Sequence, residues 1–349
     1  MVDSTTNPEN NSGNHWLTFV SDLVRWDTWY DSKIPFFLMC MFYAASTNVA
    51  PGIFLISEMV VLLLLLCLYA SLGHIVNSYC DRRIDLVAGK VNTLAQVSEK
   101  NRLKLVVFIV ITSLVTAVLF YIRQPVVLIL FYLAIVIATL YSTPPVRLKE
   151  RGISGLIAAA VAQRTLPVVI VFHALAAWDW TALVLCVLST LIGMRYIIVH
   201  QIKDESADLL ARVQTVATTR GTAFLQRLLR QIVFPLELVT LVIALVLMSM
   251  ALQPVGAAAV IYIFWTALQL LILDRNKETR FSVESYTILA DFYNFYWPLL
   301  LSVLLIERNN LFWIVFVFTL VWLFRRLHRE IVQVWYVFSA LQTSIFYRK

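Results

Sequence analysis

Residues 53–90 read IFLISEMVVLLLLLCLYASLGHIVNSYCDRRIDLVAGK. From Ile53 to Val76 the run is apolar apart from a few small or single polar residues, and it exceeds the roughly 20 helical residues that cross a hydrocarbon core. It continues without a helix breaker into Asn77, Asp81 and Asp85, spaced i, i+4 and i+8. On a continuing helix these three residues share one face. The stretch therefore predicts a membrane-spanning helix that projects an amide and two carboxylates from one end.

The whole chain has the same character. Of 349 residues, 60% are hydrophobic and 14% charged, against about 45–50% and about 25% in ordinary soluble domains. One water-soluble core could not hide so much apolar surface, so the bilayer is the expected solvent. Further apolar runs extend over Ile34 to Ala50, Leu105 to Ile122, Val126 to Tyr141, Ile153 to Ala176, Trp180 to Val199, Ile232 to Leu252, Val255 to Leu273 and Leu289 to Ile306. A shorter tenth covers Leu311 to Phe324, and the tail from Ile331 to Tyr347 reads as an interfacial helix or an extension of the last span. The expected fold class is an all-α polytopic membrane bundle of about nine or ten transmembrane helices with an internal pseudo-repeat. Its expected parts are a cytoplasmic N-terminal segment (1–33), the bundle (34–325) and a C-terminal interfacial or membrane helix (326–349). The N-terminal segment lacks the basic start and short apolar stretch of a cleavable signal peptide.

Charge fixes the expected orientation. With the N-terminus inside, 24 of the 28 Lys and Arg fall on cytoplasmic segments, while the outer loops hold only Arg123 and Arg308, and Arg164 and Arg195 lie within spans. The net charge of +7 then follows from topology and anionic headgroups. No nucleic-acid motif is present and no nucleic-acid partner is expected. Cys40, Cys67, Cys80 and Cys186 show no C-x-x-C spacing, which argues against a disulfide framework or a zinc site.

The sixth span runs into His200-Gln-Ile-Lys-Asp204-Glu-Ser-Ala-Asp208, with the same spacing on the same expected membrane face. The recurrence, four spans apart, suggests a duplication in which each half brings an acidic helix end to a shared site. Two unrelated solvated helix ends are the bland alternative. Clustered aspartates repel one another unless cations sit between them, and Mg²⁺ favours a few carboxylates together with substrate phosphates. After the fourth span comes Tyr141-Ser-Thr-Pro-Pro-Val-Arg147-Leu-Lys149. The prolines end the helix and hold two cations beside the carboxylates. A magnesium diphosphate needs both kinds of group.

In these motifs the chain resembles the UbiA superfamily of intramembrane prenyltransferases. The resemblance rests on N-x-x-x-D-x-x-x-D at Asn77, Asp81 and Asp85 with Ala88-Gly89-Lys90, on the segment Tyr141 to Lys149, and on the second D-x-x-x-D at Asp204 and Asp208. It implies Mg²⁺ held by Asn77, Asp81, Asp85, Asp204 and Asp208 against the diphosphate of a polyprenyl donor. Lys90, Arg147, Lys149 and Lys203 would neutralise that diphosphate, with Ser142 and Tyr141 at the reaction centre. Arg25 and Lys33 look like a loose version of a family pattern that places a basic residue near the donor phosphate. The isoprenoid tail would lie in a tunnel open to lipid, and the motifs would face the cytoplasm. The chemistry is consistent: an allylic diphosphate ionises when preorganised charge absorbs the leaving group, and an aromatic face such as Tyr141 stabilises the carbocation.

Two departures stand out. His200 occupies a position where many relatives carry an acid, and imidazole is a poorer Mg²⁺ ligand than a carboxylate. It would hydrogen-bond the diphosphate, act as a base, or orient Asp204. Ten spans are counted where nine is usual. The intraspan charges Glu58, Arg164, Arg195 and Glu237 must pair or reach a cavity, and Arg164, between Gln163 and Pro167, marks a polar kink that could face substrate. The expected acceptor is aromatic or otherwise lipophilic. The alternatives are a terpene cyclase working without an acceptor and, from another class, a secondary transporter, whose site would sit near the midplane.

Overall fold

A computed structural model describes residues 12–47, 52–273 and 289–346. The end of the first expected span (48–50), the basic loop with Arg275, Lys277 and Arg280, and the terminal Tyr347, Arg348 and Lys349 lie outside the described residues, as do residues 1–11. All regular structure among the described residues is helical. The main helices are α1 (Ser12–Val24), α2 (Ile34–Thr47), α3 (Ile53–Val87), α4 (Glu99–Tyr121), α5 (Pro125–Ser142), α6 (Ile153–Ala174), α7 (Trp180–Leu210), α8 (Thr222–Ala251), α9 (Pro254–Leu273), α10 (Trp297–Arg308), α11 (Asn310–Trp322) and α12 (Phe324–Phe346).

Six of these, α3 to α8, are long and apolar enough to cross a membrane, and α11 with α12 forms a further pair bent by 69°. The shorter apolar α2 and α9 complete the bundle with α10, so among the described residues every expected apolar run is largely helical. One boundary moves. Helix α8 starts at Thr222, ahead of the apolar run at Ile232, because Leu225 and Leu229 are buried while Arg227 and Arg230 break the run.

The two halves correspond. Helix α3 has 35 residues and α7 has 31, about 50 Å and about 45 Å at a rise of about 1.5 Å per residue, against a hydrocarbon core of about 30 Å. Each therefore projects well beyond the core, and the projecting end carries the acidic motif. A short helical turn follows each, Thr93–Gln96 and Val216–Arg220, before the next long helix.

Burial separates the centre from the rim. In the most apolar stretch of α6, 67% of residues are buried, against 17% in α4, whose Phe108, Leu119 and Phe120 face outward. From Ile34 to Ser46, α2 is buried on all sides, as expected of a core helix. Helices α6 and α8 carry π turns, at Val161–Thr165 and Leu229–Val233, and a third, Phe292–Tyr296, leads into α10; each stands shortly before a proline: Pro167, Pro235 and Pro298. Proline lacks an N–H and crowds the preceding turn, and widening that turn relieves the conflict. At the C-terminus, Arg326 fastens α12 to the rest of the bundle, donating to Asp291 (2.6 Å), to the Asp31 carbonyl (2.9 Å) and to the Asp31 carboxylate.

Candidate active site

The first acidic motif lies on the projecting end of α3, where Asp81 and Asp85 are 6% and 8% exposed. Both Asp81 oxygens are engaged, one by Arg147 Nη2 at 3.2 Å and the other by Lys149 Nζ. These cations come from the loop between α5 and α6. Arg147 has φ 37°, a left-handed conformation that a side-chain-bearing residue adopts only under constraint. The constraint comes partly from Gly155 in the first turn of α6: a Cβ there would lie 2.2 Å from the Leu148 carbonyl oxygen. Only glycine lets α6 seat against the loop that presents Lys149.

Asp85 is held differently. Asn92 donates through Nδ2 to Asp85 Oδ2 (2.7 Å) and to the Ser78 carbonyl (2.9 Å), and Arg25 Nη2 stands 3.9 Å from the same Asp85 oxygen. Ser142 at the end of α5 donates to Asn77 Oδ1 at 2.7 Å. Lys90 joins the two motifs. Its backbone N–H donates to the Asp85 carbonyl at 2.8 Å, while its Nζ donates to Asp204 Oδ2 at 2.5 Å and stands 3.9 Å from Asp208 Oδ1 on α7. His200 Nε2 lies 3.7 Å from Asp204 Oδ2, its side chain 74% exposed. Tyr141 is partly buried within electrostatic reach of Asp81 and Asp208.

The structure thus gathers Asn77, Asp81, Asp85, Lys90, Ser142, Arg147, Lys149, Asp204, Asp208 and His200 at one end of the bundle, with Tyr141 beside them. Lys203 is exposed on α7, and Lys33 Nζ donates to Gln163 Oε1 at 2.8 Å. Burial, helped by the neighbouring Arg164 guanidinium, pushes the Lys33 ammonium down to about 7. Sequence reasoning missed Asn92 and Gly155. Asn92 follows Gly89-Lys90 in an irregular loop, and its only signal is an amide close behind an acidic motif.

The sequence profile of the UbiA prenyltransferase family matches residues 34–289. The chain belongs to the UbiA prenyltransferase family. Its fold agrees with solved structures of a UbiA homolog from Archaeoglobus fulgidus. The form bound to DMAPP and Mg²⁺ aligns with TM-score 0.54 and 16% identity over 81% of this chain and 99% of that one. The form bound to GPP and Mg²⁺ gives TM-score 0.55 and 15% identity over the same shares, and a Cd²⁺-bound form gives 0.52 and 16%. A search of curated proteins returns no match.

Whether a UbiA-type metal suits this chain is a matter of donor chemistry. Among the described residues, no three His, Cys, Asp or Glu side chains converge on one point. Instead, ammonium and guanidinium groups stand between the carboxylates, on Asp81 and on Asp204. The donors are hard oxygens in two pairs that already bind cationic groups, which fits Mg²⁺ completed by phosphate oxygens better than a closed protein cage.

Proposed function

We propose that this protein is a Mg²⁺-dependent intramembrane prenyltransferase that ionises a polyprenyl diphosphate and passes the prenyl group to an aromatic or other lipophilic acceptor. The observation that carries this reading is the interleaving of carboxylates and cations at one end: Asp81 with Arg147 and Lys149, and Asp204 with Lys90. An anion with several oxygens would draw the cations off the aspartates and leave the carboxylates for metal. The Archaeoglobus homolog with DMAPP or GPP and Mg²⁺ supports the same donor class.

Asn77, Asp81, Asp85, Asp204 and Asp208 would hold the metal, which when bound supplies Lewis-acid charge to the leaving diphosphate. Arg147, Lys149 and Lys90 bind the phosphate oxygens and stay fixed as the carbon–oxygen bond breaks, so little reorganisation accompanies charge development. Asn92 keeps Asp85 in place, and Ser142 does the same for Asn77. Tyr141 faces the allylic cation, and His200, open to solvent, receives the proton that the acceptor loses. The excess of Lys and Arg on these loops supports a site on the cytoplasmic side. A transporter would need its site near the midplane, whereas these groups cluster at projecting helix ends.

The test is pyrophosphate release by the purified protein with geranyl, farnesyl and geranylgeranyl diphosphates, with and without Mg²⁺ and a lipophilic extract. Release that requires both Mg²⁺ and the extract is expected. A cyclic product formed without extract would make the protein a cyclase, and no release under any condition would end the enzymatic reading.

A further inference from the structure

Helix α12 is built the opposite way to a helix lying in water. Arg326 and Glu330 are buried on its inner side, while Phe324, Ile331 and Trp335 are exposed on its outer side. Charges inward and apolar groups outward suit a helix whose outer face meets lipid. Lipid is as apolar as leucine, so polar ties choose where such a helix docks.

Most of those ties converge on one short stretch near the N-terminus. Besides Asp291, Arg326 engages the Asp31 carboxylate and its carbonyl (2.9 Å), Arg325 Nη1 donates to Asp27 Oδ1 at 2.6 Å, and Trp322 Nε1 donates to the Tyr30 carbonyl at 3.1 Å. The Arg325 guanidinium also covers the Tyr30 ring, on which Trp26 stacks, and Trp322 lies 5.6 Å from Trp26. All of these residues lie outside 34–289, the stretch matched by the family profile.

The same stretch carries Arg25. No glycine or proline stands between Val24 and Trp29, so the local sequence would carry α1 straight on as helix. Arg25 nevertheless breaks it, in a left-handed conformation (φ 50°, ψ 48°) that side-chain-bearing residues adopt only under constraint. The turn after the break is pinned on three sides. Trp29 Nε1 donates to the Val24 carbonyl at 2.8 Å, Thr28 Oγ1 stands 3.2 Å from His74 Nε2 on α3, and α12 grips Asp27, Tyr30 and Asp31. With the chain broken there, the Arg25 guanidinium faces Asp85, as that of Arg147 faces Asp81.

We propose that α12, through Arg326, positions Arg25 at the acidic end of α3, so that donor binding depends on the C-terminal helix. This rests on the prenyltransferase reading above. Released from α12, residues 24–29 can join α1 in one helix, which takes Arg25 off Asp85. The full-length protein in nanodiscs, with Mg²⁺, is titrated calorimetrically with geranyl diphosphate. Arg326→Gln should raise Kd about tenfold, a coupling expected within one contact network. Arg25→Gln should do the same, and adding Arg326→Gln to it should weaken binding by less than about a further twofold, because Arg326 acts through Arg25. Glu330→Gln loosens α12 at Tyr296 without touching the Arg25 turn, and should leave Kd within about twofold. Arg326→Lys keeps the charge without the planar fork, should restore part of the affinity, and serves if the Gln variant does not assemble. Trypsin cleavage after Arg25, followed by mass spectrometry, should quicken in Arg326→Gln. Additive effects of the two substitutions, or a Kd that Arg326→Gln leaves unchanged, overturn the proposal. Failure of the wild type to bind geranyl diphosphate would instead overturn the donor assignment; cleavage after Arg25 then decides the positioning by itself, and an unchanged rate overturns it.

Discussion

The two acidic helix ends share a spacing but not an environment. On α3, Asp81 and Asp85 are buried and wired to Arg147, Lys149, Asn92 and Arg25. On α7, the Asp204 and Asp208 side chains keep 26% and 15% exposure, and their ion-pair partners among the described residues are Lys90 and His200. Low local dielectric strengthens charge pairing, so the α3 end is a fixed, preorganised half-site. At the α7 end Asp204 is more open to water and freer to adjust, while Asp208 is nearly as enclosed as Asp85 and is held by Thr215. A duplicated motif has thus become one rigid and one yielding jaw.

Changes at the rigid jaw should cost most. Asp81→Ala is expected to lower pyrophosphate release by about three orders of magnitude. It should also lower Tm, because Lys149 is left as an uncompensated, largely buried cation and Arg147 keeps only Glu150. Asp204→Ala should impair turnover with a smaller loss of Tm, and equal losses in the two variants would erase the distinction between the jaws. Lys90→Gln cuts the tie between them and should reduce kcat/KM by about a hundredfold. Its Tm should barely move, since the Lys90 side chain is 36% exposed; a large fall in Tm would make the bridge structural.

Gly155→Ala should disturb the α3 end without touching it directly. The added methyl meets the Leu148 carbonyl, so the loop must shift and displace Lys149 from Asp81. A loss of about tenfold to a hundredfold in kcat is expected, the scale of a displacement of about 1 Å. The same variant should leave the Lys90–Asp204 contact intact, which a cysteine cross-link between positions 90 and 204 would report. His200→Ala should have the smallest effect, less than about tenfold, because solvent around an exposed imidazole can take the proton in its place. A much larger loss would mean that the α7 jaw closes over His200 during turnover.

Sequence alone was enough for the solvent, the spans, the two acidic motifs and the Pro-Pro basic loop. These are local properties: a long apolar run sets a span, and a four-residue period places Asn77, Asp81 and Asp85 on one helical face. Even the kink at Arg164 was legible, from Gln163 and Pro167. Which groups meet depends on how the helices pack. Lys90 reaches Asp204 across 114 positions, Lys33 reaches Gln163 across 130, and Arg195 finds Glu237 across 42. Packing also brings Asn92 onto Asp85 and shows why residue 155 must be small. The reason is physical: a helix apolar on every side carries no signal for the face it turns inward. Its rotation and depth are set by packing against its neighbours, and those choose the partners of each polar side chain.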